Sequence, residues 1–222
     1  MDVQYFFLAR TKFIKQFYEN SSNSYFERKK KIENEEEPFV PVYCEDGEPQ
    51  FLSEWIEADE SLHVLAYSCI SMLAASLKLY FKTFENILHV STTSSTKSKF
   101  KESWFAGYKA YFLQLNIDFD KSKTNTKIIE EVILARNRIQ HPDSIPSQYS
   151  RYSENDIQKI GHPLFVNDKE KKLFEDTSEN EVGWLIPPTL HINKDSLYTA
   201  ISEVEKFAIW LETEIDAKFY NR

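Results

Sequence analysis

The stretch Leu62-His-Val-Leu-Ala-Tyr-Ser-Cys-Ile-Ser-Met-Leu-Ala-Ala-Ser-Leu-Lys-Leu-Tyr80 decides the fold class. Leu62, Leu65, Ala66, Cys69, Met72, Leu73, Ser76, Leu77 and Tyr80 recur every three or four residues, the spacing of one buried helix face. No proline interrupts the surrounding pattern from Phe51 to Val90, which predicts one long helix and the spine of a bundle. Ser53 is its expected cap, and a break near Asp59 to Ser61 is the alternative to an unbroken helix. Turn chemistry agrees, because four glycines and eight prolines in 222 residues are too few for a many-stranded sandwich or barrel. An apolar share of 41% is enough to build a core.

Outward from this spine, further helices follow. Val3 to Tyr18 repeats Tyr5, Phe6, Phe13, Ile14, Phe17 and Tyr18 at helical spacings, with a break expected at Ser21 to Ser24 and a charged helix resuming as far as Glu37. Phe39 to Gln50 is rich in proline and reads as a loop. Ser91 to Ser98 reads as a mobile polar linker, and Glu102 to Leu115 as an aromatic helix with Trp104, Phe105, Tyr108, Tyr111 and Phe112. At that spacing, aromatics belong to a core more often than to a base-stacking surface. A helix from Asn125 or Thr126 to Gln140 or His141 ends against Pro142. Asp143 to Pro188 reads as an irregular insertion, with Leu164-Phe165-Val166 and Trp184-Leu185-Ile186 as the strands of one short hairpin. Asp195 or Ser196 caps a closing helix striped by Leu197, Ala200, Ile201, Val204, Phe207, Ala208, Leu211 and Ile215. The expected architecture is a single all-α domain, a bundle of four to five helices. Residues 1–50 hold N-terminal helices and a loop, 51–141 the core helices, 142–190 the insertion and 195–219 the closing helix.

Charge and apolarity bound the function. The apolar run Ile70 to Leu77 stops at Lys78, short of the about 20 residues of a bilayer span. Asp2, Lys12 and Lys15 do not suit a signal peptide. Two reduced thiols, Cys44 and Cys69, fit a cytoplasmic protein without membrane contact. The formal net charge is −8, yet from Ser91 to His141 nine cations face five anions, so this region is locally basic. Lys97, Lys99, Lys101 and Arg138 are the cations expected to steer a polyanion there; a merely solvated face is the bland reading of the same charges.

The helix before Pro142 carries the chemistry. Ile128, Val132, Ala135 and Ile139 form its expected buried stripe, widened by Ile129 and Ile133. Arg136 falls at the margin of that stripe. Asn137 and His141 are one turn apart, whereas Arg136 and His141 are five residues apart, about 140° around a helix. One regular helix therefore does not join their side chains. Either the helix end deviates at Pro142, or a second copy supplies the complement. Together the three residues offer what phosphodiester cleavage needs: a histidine to move a proton, an arginine to grip phosphate, and an amide to orient them. His141, Asp143 and His162 have no metal-ligand spacing, and no cofactor motif is present. Ser76 and Lys78 are the spine residues expected to face the motif.

Arg136-Asn137-x-x-x-His141 at a helix end within an all-α bundle resembles the HEPN superfamily, whose active members carry Arg-x(4–6)-His with a polar residue after the arginine. The match spans about Phe51 to His141, and the closing helix with it. The resemblance implies a homodimer with paired motifs in one cleft and metal-independent ribonuclease activity on RNA, leaving 2′,3′-cyclic phosphate and 5′-hydroxyl ends. Arg136, Asn137 and His141 would be its catalytic residues, with no cofactor. It further implies a toxin or anti-phage role, with an antitoxin or nucleotidyltransferase as partner. A catalytically silent dimeric scaffold that binds a protein or nucleotide is the other kind of member.

Overall fold

The computed structural model describes residues 2–43, 49–142, 149–175 and 188–220. These residues are mostly helical, and no strand occurs among them. Helix α1 (Val3–Glu33) and helix α2 (Leu52–Leu88) form an antiparallel αα-hairpin. Its sense is fixed by cross-links at both ends. Trp55 Nε1 donates to Glu33, Arg28 and Lys29 pair with Glu57 and Asp59, and Arg10 Nε donates to Ser76 Oγ.

The serines expected to break α1 do not break it. Ser22 is buried and returns its hydroxyl proton to the Glu19 carbonyl, so it competes with no helix bond. The aromatic pattern of α1 splits instead: Val3, Phe7, Ile14 and Tyr18 are buried, while Tyr5, Phe6, Phe13 and Phe17 face outward. Helix α2 is likewise unbroken at Asp59–Ser61. Its cap is not Ser53: Phe51 starts it in the left-handed region (φ 64°), and Ser53 lies inside the first turn, bonded to Glu54. An 18-residue window of α2 is apolar enough to cross a membrane (mean hydropathy 1.5), longer than the Ile70–Leu77 run alone suggests. In the fold 61% of that window is buried, the setting of a core helix.

The serine- and threonine-rich stretch after α2 is a helix with its cap, not a linker. Thr93 Oγ1 accepts the Thr96 amide and starts α3 (Ser94–Glu102), while Gln114 Oε1 accepts both the Thr93 amide and the Thr96 hydroxyl. Ser103 then caps α4 (Trp104–Gln114). Gly107 is required where α3 crosses α4, because a Cβ there would collide with the Phe100 ring. Phe105, Tyr108, Tyr111 and Phe112 are buried as expected, and Phe81 of α2 sits at the centre of a cluster with Phe105, Tyr108, Phe112, Phe119 and Phe207, ring centroids 5.3–6.3 Å away. Such a cluster adds about 0.5–1.5 kcal/mol per pair beyond area burial.

Helix α5 (Thr126–Gln140) and the closing helix α8 (Lys194–Phe219) complete the core around α2. Asn193, two residues ahead of the nearer expected cap, closes α8 through a capping box with Ser196. The stretch after α5 is not a decoration. It holds α6 (Glu154–Ile160) and α7 (Asp168–Glu175), and buries Tyr152, Ile157, Ile160, Phe165 and Val166 in the common core. Of the expected hairpin, Leu164–Val166 lies in bends between α6 and α7, and Trp184–Ile186 lies outside the described residues, as does Cys44. The pairing seen is a single antiparallel bridge, Arg151 with Thr189.

Candidate active site

Helix α5 runs to Gln140 and places the motif histidine at its C-cap. The His141 amide still donates to the Asn137 carbonyl at 3.1 Å, so the chain does not unwind before the histidine. At His141 itself the backbone leaves helical geometry (φ −129°, ψ 67°), so the side chain departs from the direction a continued helix would give it. His141 is exposed at the helix C-cap, and Arg136 is half-buried on the side facing α2.

Arg136 is held in place. Its Nη1 donates to Asn137 Oδ1 at 3.0 Å, which leaves the remaining guanidinium donors for a ligand. The arginine lines a cavity of about 200 Å3 together with Ala74, Ala75, Lys78, Leu79 and Lys82 of α2 and Trp104 of α4. Lys78, expected to face the motif, does so. Ser76, its companion in that expectation, opens instead into a neighbouring cavity of about 530 Å3 with Arg10, Phe6 and Phe13 of α1.

Two of the other expected cations, Arg138 and Lys99, already have carboxylate partners. Arg138 Nε donates to Asp156 Oδ2 at 2.7 Å, on α6. Burial works against the Asp156 charge, but Arg138 and the Ser153 donors outweigh it and hold the carboxyl below its ordinary range. Lys97, Lys99 and Lys101 are exposed on α3, and Lys99 pairs with Glu102 at 2.8 Å. Thus the structure brings Arg136 and Asn137 together, adds Lys78, Lys82 and Trp104, and gives Arg138 a structural partner.

Glu131 is the residue that the helical pattern misses. It is 1% exposed, five residues before Arg136 on α5. Its carboxylate accepts the Tyr152 hydroxyl (2.7 Å) and the Leu164 and Phe165 amides (2.8 Å each). Burial pushes its pKa up, and those three donors oppose the shift. This one side chain fastens the segment after α5 to the motif helix. The signal was a glutamate next to Val132 in the buried stripe, indistinguishable in sequence from a margin residue.

The chain matches no protein-family model, no curated protein and no solved structure.

Proposed function

We propose that this chain is a HEPN-like, metal-independent endoribonuclease that works as a dimer. The observation that carries this reading is the state of Arg136: oriented by Asn137, open to a groove, and sharing it with two lysines rather than a carboxylate. A guanidinium so held suits a scissile phosphate and the charge that builds on it during transfer. In the reaction the RNA 2′-hydroxyl oxygen bonds to phosphorus while the bond to the 5′-oxygen breaks. One proton leaves the 2′-hydroxyl and one arrives at the 5′-oxygen, giving 2′,3′-cyclic phosphate and 5′-hydroxyl ends. His141 of the copy opposite the phosphate-holding Arg136 would move a proton as acid or base. The five-residue spacing of Arg136 and His141, about 140° around a helix, supports the two-copy arrangement.

The exposed face beside Arg136 supports pairing as well. Phe6 and Phe13 of α1 and Leu79 of α2 are 56%, 59% and 48% exposed and border the same run of cavities. A contiguous apolar face of this kind marks an interaction surface. The test is cleavage of mixed RNA with EDTA present. Arg136→Ala and His141→Ala are each expected to lower the rate by about 100-fold or more. Cleavage that survives both substitutions would sink the assignment.

A second reading, a silent dimeric interaction module, draws on Arg138 and Lys99. Both cations expected to steer RNA already have carboxylate partners. Folded, dimeric wild-type protein that leaves RNA intact and is tolerated by growing cells would favour it. Toxicity relieved by the alanine substitutions would favour the ribonuclease.

A further inference from the structure

We propose that Lys78, Lys82 and Trp104 form a single-stranded RNA subsite continuous with Arg136, in which the two lysines hold a backbone phosphate and Trp104 stacks on the neighbouring base. The proposal rests on the ribonuclease reading for its place in a reaction, but its evidence is separate.

Three cations line this one groove, and no carboxylate is among its lining residues. Lys15, Arg28, Lys29, Lys99, Lys109, Arg138 and Lys206 each face a carboxylate. Among the described residues no carboxylate pairs with Lys78, Lys82 or Arg136, although the chain carries a surplus of acids with a net charge of −8. Lys78 and Lys82 stand one turn apart on α2, where like charges repel and destabilise the helix unless an anion lies between them. Arg136 adds a third positive charge from α5. The groove thus gathers positive charge with no acidic residue in its lining, an environment that suits a phosphate.

The aromatic component selects among anions. Trp104 packs against Phe81 and Phe105, centroids 6.2 and 5.9 Å away, and still lines the groove. Lys78 Nζ lies 6.0 Å from its ring centroid. A tryptophan beside a phosphate-binding cation is the pairing that single-stranded nucleic acid uses, since every base presents a π face. At about 200 Å3 the cavity is smaller than the roughly 300–1,000 Å3 that encloses a whole small molecule. It takes a phosphate with part of a base, and the rest of the ligand must run on outside. That describes a polymer crossing the groove, not a free nucleotide sealed within it. Base stacking on one tryptophan implies little sequence preference at this step.

The experiment measures binding of a short fluorescent single-stranded RNA by anisotropy, in His141→Ala protein so that the probe stays intact, across about 50 to about 200 mM salt. Lys78→Gln with Lys82→Gln is expected to reduce the slope of log affinity against log salt by about 0.7, the value for one lost single-strand phosphate contact. Trp104→Leu is expected to weaken binding about tenfold without changing that slope, and Trp104→Phe to restore most of it. Both lysines are exposed, so loss of fold is not expected, and circular dichroism checks it. An unchanged slope and affinity in the lysine variant would overturn the subsite, even if wild type cleaves RNA. Subsite-dependent binding by a wild type that never cleaves would uphold the subsite and remove the ribonuclease assignment. Equal competition by adenosine monophosphate and by the oligonucleotide, compared per phosphate, would also overturn it, because a polymer site gains from its flanking contacts.

Discussion

At Arg138 the nearest opposite charge is Asp156, whose side chain is 6% exposed. Removing one member of a largely buried pair strands the other, which costs about 3 kcal/mol or more when burial is complete. Arg138 itself is 30% exposed, so solvent screening reduces the figure, and Arg138→Ala is expected to cost about 1–2 kcal/mol. Thermal unfolding followed by circular dichroism reads this, with a several-degree fall in Tm. The same variant should leave the salt slope of RNA binding unchanged, which Lys78→Gln should not. A lower slope with an intact Tm would assign Arg138 to RNA instead. Sequence placed Arg138 among the steering cations because its neighbours on the chain are basic. Its partner comes from α6, eighteen residues on, and no local pattern announces that. Arg136 was legible because its position at the stripe's margin follows from helical spacing alone, whereas the burial of Glu131 depends on which donors the later segment brings.

Elements show the same division between local and distant causes. The long helices α1, α2, α5 and α8 follow from apolar periodicity, and the end of α5 from Pro142. The serine-rich stretches were misread because side-chain hydroxyls that compete with a helix in isolation also cap one or bond back to it. Thr93 does the first and Ser22 the second, and tertiary packing selects between these and a loop. Where α1, α2 and the segment leading to α8 meet, two histidines lie face to edge, with the centroids of His63 and His191 5.0 Å apart. Burial lowers both pKa values. At His63 the neighbouring His191 adds to the effect; Asp59 opposes it at both rings, Glu170 and Asp168 oppose it at His191, and Lys29 adds to it at both. Tyr67 and Tyr149 complete the surroundings. A histidine whose folded pKa lies below the unfolded 6.5 leaves the unfolded chain holding more protons just under that pH. Its contribution is complete above pH 6.5 and is lost as pH falls toward the lowered value. Tm is therefore expected to drop as pH falls below about 6.5, and His63→Gln with His191→Gln to flatten the drop. An equally steep fall in the double variant would locate the acid sensitivity elsewhere.

For the molecule as a whole, the arrangement of α1 and α2 sets both the exposed aromatic face and the groove beside Arg136, so pairing and chemistry are expected to fail together. Phe13 is 59% exposed and Leu79 48%, so charging them removes little from the monomer's core. Placed between two copies, however, an aspartate at either position would be buried without a partner. Phe13→Asp with Leu79→Asp is expected to convert a dimer to a monomer by light scattering, with helical content unchanged and RNA cleavage lost. A monomeric wild type that cleaves RNA would refute the two-copy site, and a double variant that remains dimeric would refute this face. Mixing chains settles whether the site is shared. Arg136→Ala and His141→Ala proteins are each inactive alone in this scheme. Refolded together, half of the dimers hold one intact Arg136 and one intact His141 on opposite chains, and these should recover measurable cleavage. If every chain worked by itself, the mixture would stay as silent as its parents, because neither polypeptide contains both residues.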